Sequence, residues 1–397
     1  MPLNDNTEEV GMKDNSSTKV LVAGGGIGGL TAAIALRNAG FQVEVFESQP
    51  EFTALGVGVI IQPNGLKALR SIGHGIREGL DRVGRPVAKN GPLRLVDPDG
   101  RHLGVRSVDE LDLEGMYGEP SIIVRRRRLH ELLVAGQQEQ ALYTGKSIVG
   151  FEDDGQQVTA KFSDGTTATG DVLIGADGLN SVVRQQLIGK HAPEYTGWGN
   201  LRGMATGFEF PEGQEEGLAV VDGEDHIQAV PVGGGDIYFS CAFVAEPGTW
   251  PNTAEGAWEE VQRRIQGWYF VEDVLKGCQQ DTLVAREIRD HLPRDSWSTG
   301  RVTLLGDAAH AMSNFWGQGA NSAIEDGIVL ARALSAADDV ESGLLSYEKS
   351  RIPRTKRLQA ASRRVDGHVG DYMPFLEFAY GYDAATVPLE SPEAVIG

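Results

Sequence analysis

Residues 19–48 read KVLVAGGGIGGLTAAIALRNAGFQVEVFES: an apolar strand, a glycine turn, a helix expected over about 27–39, and a second strand that ends at an acid, Glu47. Gly24, Gly26 and Gly29 occupy the GxGxxG positions. The first admits a tight turn, the second lets a pyrophosphate approach the backbone, and the third lets helix pack on strand. Each role depends on a missing side chain. With Ile27 and Gly28 completing the turn, the helix presents its first amides and positive dipole end to the phosphates. Glu47 stands where it can accept from a ribose hydroxyl, and its charge disfavours a 2′-phosphate. The run predicts a dinucleotide site on a Rossmann-type α/β unit and leaves open whether the ligand is NAD or FAD.

A chain of 397 residues, 41% of them hydrophobic, can bury a large core, which excludes disorder and predicts two or three lobes. Thirty-six basic residues against 56 acidic ones give a net charge of -20. That balance opposes nucleic acid and anionic membrane surfaces and favours small-molecule partners. No apolar stretch reaches the ~20 residues that a membrane-spanning helix needs. Residues 1–18 are polar and acidic, without the basic start and apolar core of a signal peptide, and are expected to form a flexible tail. Cys241 and Cys278 are the two cysteines. Far apart and without CxxC spacing, they predict core thiols, a reducing cytoplasmic setting and no metal site.

Two later segments bear on the ligand. Residues 170–187, GDVLIGADGLNSVVRQQL, start as a buried strand, break at Asp177 and Gly178, and continue as a helix carrying Ser181 and Arg184; an Asp at such a turn also serves as an ordinary helix cap. Residues 301–327, RVTLLGDAAHAMSNFWGQGANSAIEDG, repeat the strand and turn at Gly306 and Asp307, then pass through a glycine-rich GQGAN into an amphipathic helix. Asp307 can bond a polyol hydroxyl, and the amides around Gly317, Gly319, Ala320 and Asn321 can meet phosphate or an electron-rich ring edge.

In order, GGGIGG with Glu47, GADGLNSVVR, and GDAAH with GQGAN, the chain resembles the class A flavoprotein monooxygenases, the family of para-hydroxybenzoate and salicylate hydroxylases. The resemblance implies an α/β fold: a glutathione-reductase-like FAD-binding domain interrupted by a mostly β substrate domain and followed by a helical region. The expected boundaries are 19–77, 116–187 and 300–335 for the FAD domain, 78–115 and 188–299 for the substrate domain, and 336–397 for the C-terminal helices. The implied cofactor is FAD, with NADH or NADPH as cosubstrate and O2 as the oxidant, and the nicotinamide has no second glycine fingerprint. Asp177 and Gly178 are implied to bear on both FAD and NAD(P)H. In VRRRRLHELL at 124–133, the family pattern puts its FAD-contacting arginine at Arg126, while Arg125, Arg127 and Arg128 are expected on a solvated or ion-paired face. In LGVGVIIQPNG, Gly58 and Val59 lie on a stretch that passes near the isoalloxazine ring in the family, or form a bulged strand. The basic run EKSRIPRTKRLQAASRR, broken at Pro353, is expected to be a solvated helix face.

From Val158 the pattern changes to alternating strands, with KFSDGTTATG and HIQAVPVGGGDIYFSCAFV both reading as hairpins, the second turning at 233–236. By the period of two, His226, Gln228 and Val230 share one face, and Tyr238, Ser240 and Ala242 share one face of the next strand. If this sheet covers the flavin, Arg202, Gln228, Asn314 and Trp316 are candidates to touch the aromatic substrate. His226 and Tyr238 are the candidates for the base that activates it. The family chemistry passes through a flavin hydroperoxide, so a leaky pocket would release hydrogen peroxide instead. Asn314 departs from the family, which usually has proline at that position. Related FAD chemistry such as epoxidation, Baeyer-Villiger insertion or halogenation, and a noncatalytic dinucleotide-binding protein, stand as alternatives; none of the tryptophans forms the WxWxIP stretch of a halogenase. Monomer and homodimer are equally open.

Overall fold

The computed structural model of the chain describes residues 14–52, 57–363 and 372–389. Its nucleus is a five-stranded parallel sheet in the order Val302–Leu304, Val172–Gly175, Lys19–Ala23, Gln42–Phe46, Leu142–Tyr143. A parallel sheet is covered on both faces, so Val20, Leu21, Val22 and Ala23 are all buried in succession rather than alternately. Helix Ile27–Asn38 follows the first strand and packs on helix Gln318–Ala336. Gly327 permits that approach, because a Cβ there would stand 2.7 Å from the Ala32 amide. The three segments read as one ligand-binding unit are therefore neighbours in one sheet.

The second large element is a seven-stranded sheet in the order Cys278–Asp290, Glu194–Thr206, Asp236–Val244, Asp225–Gly233, Leu218–Asp222, Arg94–Val96, His102–Val105. Its hairpin turns where expected, with Gly233 opposite Asp236. Along the central strands the odd positions Ile227, Ala229, Phe239, Cys241 and Phe243 enter a core with Val261 and Val274 of helices Ala254–Arg264 and Val271–Lys276. The even positions are left for the opposite face. Strands Gly58–Ile61, Ile122–Arg125 and Arg85–Pro86 form a small antiparallel sheet, and Ile148–Asp153, Val158–Phe162 and Thr167–Gly170 form another. Boundaries expected after residues 77 and 115 fall inside helices Ile76–Val83 and Leu113–Tyr117.

Two expectations are corrected here. Helix Val340–Ser362 continues through Pro353 instead of breaking there. Its basic face is not solvated throughout: Arg351 and Arg354 are buried, with Arg351 Nε and Nη1 2.7 Å from Asp326 and Glu325, and Arg354 Nη2 2.7 Å from Glu325. Their counter-charges come from IEDG in the preceding helix, where an acidic pair opposite two guanidiniums makes burial of all four groups tolerable. Arg125 ends a strand and caps the helix that follows it, and it is ion-paired, with Nη2 2.6 Å from Asp236 of the seven-stranded sheet. Among the described residues, no helix is long and apolar enough to cross a membrane, and no group of His, Cys, Asp and Glu could hold a metal ion.

Candidate active site

The glycine turn divides its labour as the spacing suggests. Gly24 has φ +113°, and a Cβ there would collide with the Ala176 carbonyl. A Cβ on Gly29 would collide with the Gly24 carbonyl oxygen, so these two glycines serve the fold. A Cβ on Gly26 would meet nothing within 4 Å. Its side is open space, the shape a pyrophosphate requires. Glu47 Oε2 accepts from the Gly25 amide at 2.9 Å and Oε1 from the Gln49 amide at 2.8 Å, so Glu47 braces the turn from behind. His130, which the sequence reading passed over, secures the other side: its Nε2 donates to the Gly25 carbonyl at 2.7 Å. Burial lowers its pKa and keeps it neutral. The available signal was its position four residues after Arg126, on the same helix face.

In front of the turn lies a cavity of about 450 Å³ between the parallel sheet and the even-numbered face of the seven-stranded sheet. Gly26, Ile27, Gly28 and Gly29 line one end. Gly58, Val59, Arg126 and Gly178 line the middle, with Asp307 beside them. Burial depresses the basicity of Arg126, while the charge of Asp307 acts in the opposite sense. Gly317, at φ +62°, starts the 19-residue helix Gln318–Ala336, and Gly317, Gly319 and Ala320 bring that helix N-terminus to the same cavity. The segment carrying Asp307 is held from below, where Arg184 Nη1 donates to the Ala308 and Ala309 carbonyls at 2.9 and 3.1 Å.

Several expected contacts have other employment. The Asp177 carboxylate accepts from the Val182 amide at 2.7 Å and from Ser181 Oγ, capping helix Val182–Ile188, and it does not line the cavity. Burial raises its pKa. The Asn321 carboxamide accepts from the Gln62 amide at 3.0 Å and donates to Gly317 O at 2.7 Å, stapling the glycine-rich turn to strand Gly58–Ile61. The flat group against Gly58 is a protein ring, since a Cβ there would stand 2.7 Å from Tyr238. Trp316 packs on Phe375, ring centroids 4.7 Å apart, and borders a second cavity instead.

The sheet face opposite the glycine turn is built in rows. Arg202, Ser240 and Gln228 are register partners across three strands, as are Asn200, Ala242 and His226, and Met204, Tyr238 and Val230. Arg202 Nε is buried without a hydrogen-bond partner. His226 Nδ1 donates to the Glu224 carbonyl at 3.2 Å, which leaves Nε2 as the acceptor nitrogen, and its ring packs between Trp198 and Phe315 at 5.6 and 5.5 Å. Burial lowers its pKa. Asn200, Arg286 and Phe315 also line the cavity and were not singled out from the sequence. A second cavity of about 600 Å³ adjoins the first, sharing Ile60, Gln228, Asn314, Phe315 and Gly317.

A family model described as the FAD binding domain matches residues 17–362. The 6-hydroxynicotinate 3-monooxygenase of Pseudomonas fluorescens is 32% identical over 404 residues, covering 96% of this chain and 98% of the relative. The 3-hydroxybenzoate 6-hydroxylase of Polaromonas naphthalenivorans is 35% identical over 367 residues, 89% of each chain. Among solved structures, Klebsiella pneumoniae HpxO complexed with FAD and uric acid superposes with a TM-score of 0.78 at 28% identity, over 92% of each chain.

Proposed function

We propose that this chain, which belongs to the FAD binding domain family of class A flavoprotein monooxygenases, hydroxylates a small aromatic substrate with NADH or NADPH as reductant and O2 as oxidant. The observation that carries the reading is one continuous cavity running from the open side of Gly26 to the row Arg202, Ser240, Gln228. Its lining residues, with Glu47 behind the glycine turn, fit FAD. The turn amides and the start of helix Ile27–Asn38 would hold the pyrophosphate, Glu47 the adenosine ribose, Asp307 and Arg126 the middle of the cofactor, and the amides at Gly317–Ala320 the ring edge. Bound FAD supplies two-electron redox chemistry and the activation of O2.

The remaining work falls to the protein. The even-numbered sheet face orients the substrate, while Phe315, backed by Trp198, presents apolar surface that excludes water from it. Neutral His226 accepts a proton at Nε2 from a substrate hydroxyl, and the unpartnered Arg202 Nε–H donates to an oxygen that gains negative charge. Purified protein should be yellow, and its oxidation of NADH or NADPH should rise together with oxygen uptake when a suitable aromatic compound is added. Colourless protein that fails to take up FAD would refute this reading.

A further inference from the structure

We propose that the substrate is an uncharged, hydroxylated N-heteroaromatic whose cyclic amide edge is read by the carboxamides of Gln62, Gln228 and Asn314. This deepens the monooxygenase reading and rests on it. Gln228 and Asn314 line both cavities, so they stand where the cofactor cleft opens into the larger space beyond. Gln62 lines that larger space. Its Oε1 accepts from Ser121 Oγ at 2.7 Å, and its Nε2 lies 3.5 Å from where a Gly317 side chain would begin, next to the glycine turn that both cavities share.

A carboxamide offers a carbonyl acceptor beside N–H donors. That edge is complementary to a ring N–H adjacent to a ring carbonyl, which also pairs one donor with one acceptor. An aromatic carboxylate offers acceptors alone and brings a charge that must be desolvated. The second cavity does little to compensate such a charge, and Arg202 of the adjoining cleft is engaged with the oxygen that gains negative charge in the reaction. Arg106 is already held by Asp109 at 2.9 and 2.7 Å, and Asp109 in turn accepts from the Leu93 amide. Asp112 and Glu114 add negative charge to the same wall, so the lining carries two cations, Arg106 and Lys89, against three acids. Lys89 is exposed, where solvent screens it. About 600 Å³ also exceeds what a single ring fills, and Phe315 and Trp316 supply apolar walls for a fused bicycle.

The test uses the FAD-loaded protein and two matched pairs: 3-hydroxy-2-quinolone against 3-hydroxy-2-naphthoate, and 3-hydroxy-2-pyridone against 3-hydroxybenzoate. Binding is read from the perturbation of the flavin spectrum and from ligand-induced thermal shift. Each cyclic amide is expected to bind at least about tenfold more tightly than its carboxylate partner, the worth of roughly one well-placed hydrogen bond. Gln228→Leu, first shown to keep its flavin and thermal midpoint, is expected to weaken the quinolone about tenfold and the naphthoate less than twofold. Tighter binding of the carboxylates, or equal losses for both ligands in the variant that keeps its flavin, would overturn the proposal while leaving the monooxygenase reading intact. Protein that takes up no flavin and responds to neither series would overturn both.

Discussion

His310 Nε2 lies 2.6 Å from Asp326 Oδ2, and both side chains are buried. The same Asp326 oxygen accepts from the Gly306 amide at 3.0 Å, while its other oxygen receives Arg351 Nε at 2.7 Å. One carboxylate thus joins the turn before Asp307, the helix turn after it, and helix Val340–Ser362. The cavity wall that would meet the cofactor is fixed by charges that never touch it.

Removing that carboxylate should therefore damage folding before chemistry. Asp326→Asn leaves Arg351 and His310 facing a neutral amide inside the protein, and a loss of about 3–5 kcal/mol is expected from chemical denaturation of the flavin-free protein. Burial alone would raise the Asp326 carboxyl, but His310 and Arg351 outweigh it and hold the pKa down to about 2, against an ordinary value of 3.8. A depressed carboxyl pKa stabilises the folded chain above the unfolded value. That contribution, about 2 kcal/mol, is present at neutral pH and lost as pH falls from about 4 to about 2. The variant's stability should fall less steeply across that window.

The glycines of the turn should separate stability from ligand binding. Gly29→Ala drives a Cβ into the Gly24 carbonyl and is expected to lower the thermal midpoint of flavin-free protein. Gly26→Ala enters open space, so the same measurement should hardly change while FAD affinity falls at least about tenfold. Equal destabilisation by both would remove the assigned difference.

Asp307 is exposed to the cavity, and its charge acts on Arg126. Asp307→Ala is expected to lose most of its flavin during purification, measured as flavin absorbance per protein. Glu47→Ala should weaken FAD more mildly, because the Gly25 amide then lacks its acceptor, and should leave nicotinamide choice unchanged. A clear switch between NADH and NADPH in that variant would put the nicotinamide in the first site.

If His226 accepts the substrate proton, turnover should persist below the imidazole's ordinary pKa of 6.5, since burial favours the neutral ring. Activity then declines only as pH falls through that lowered pKa. In His226→Leu the acid limb of kcat/KM should disappear along with most of the rate. An unchanged pH profile in a still active variant would relieve His226 of the role.

What the sequence made legible was local. Gly24, Gly26 and Gly29 could be assigned because each role follows from a neighbour within a few positions, and the even-numbered face of the 225–244 hairpin followed from a period of two. Arg351 and Arg354 were misread because their acids stand 25 and 29 positions away on another helix, and a basic run carries no sign of such a partner. Asp177 shows a different limit. Residue type and motif placed it beside the cleft, yet only the backbone path decides whether a short polar side chain faces a ligand or caps its own turn. Arg286 reaches the cavity from a strand with no motif of its own, and Phe315 from a short 3-10 turn between two motifs, where nothing marks it.

The most direct measurement is the fate of isotopically labelled O2 supplied to the FAD-loaded protein with NADH or NADPH and a responsive aromatic compound. One labelled oxygen atom should enter the product, with one reduced nicotinamide consumed per product formed. Reduced nicotinamide consumed with all of the label recovered as hydrogen peroxide, whatever aromatic compound is offered, would contradict the assignment of this chain as a hydroxylase.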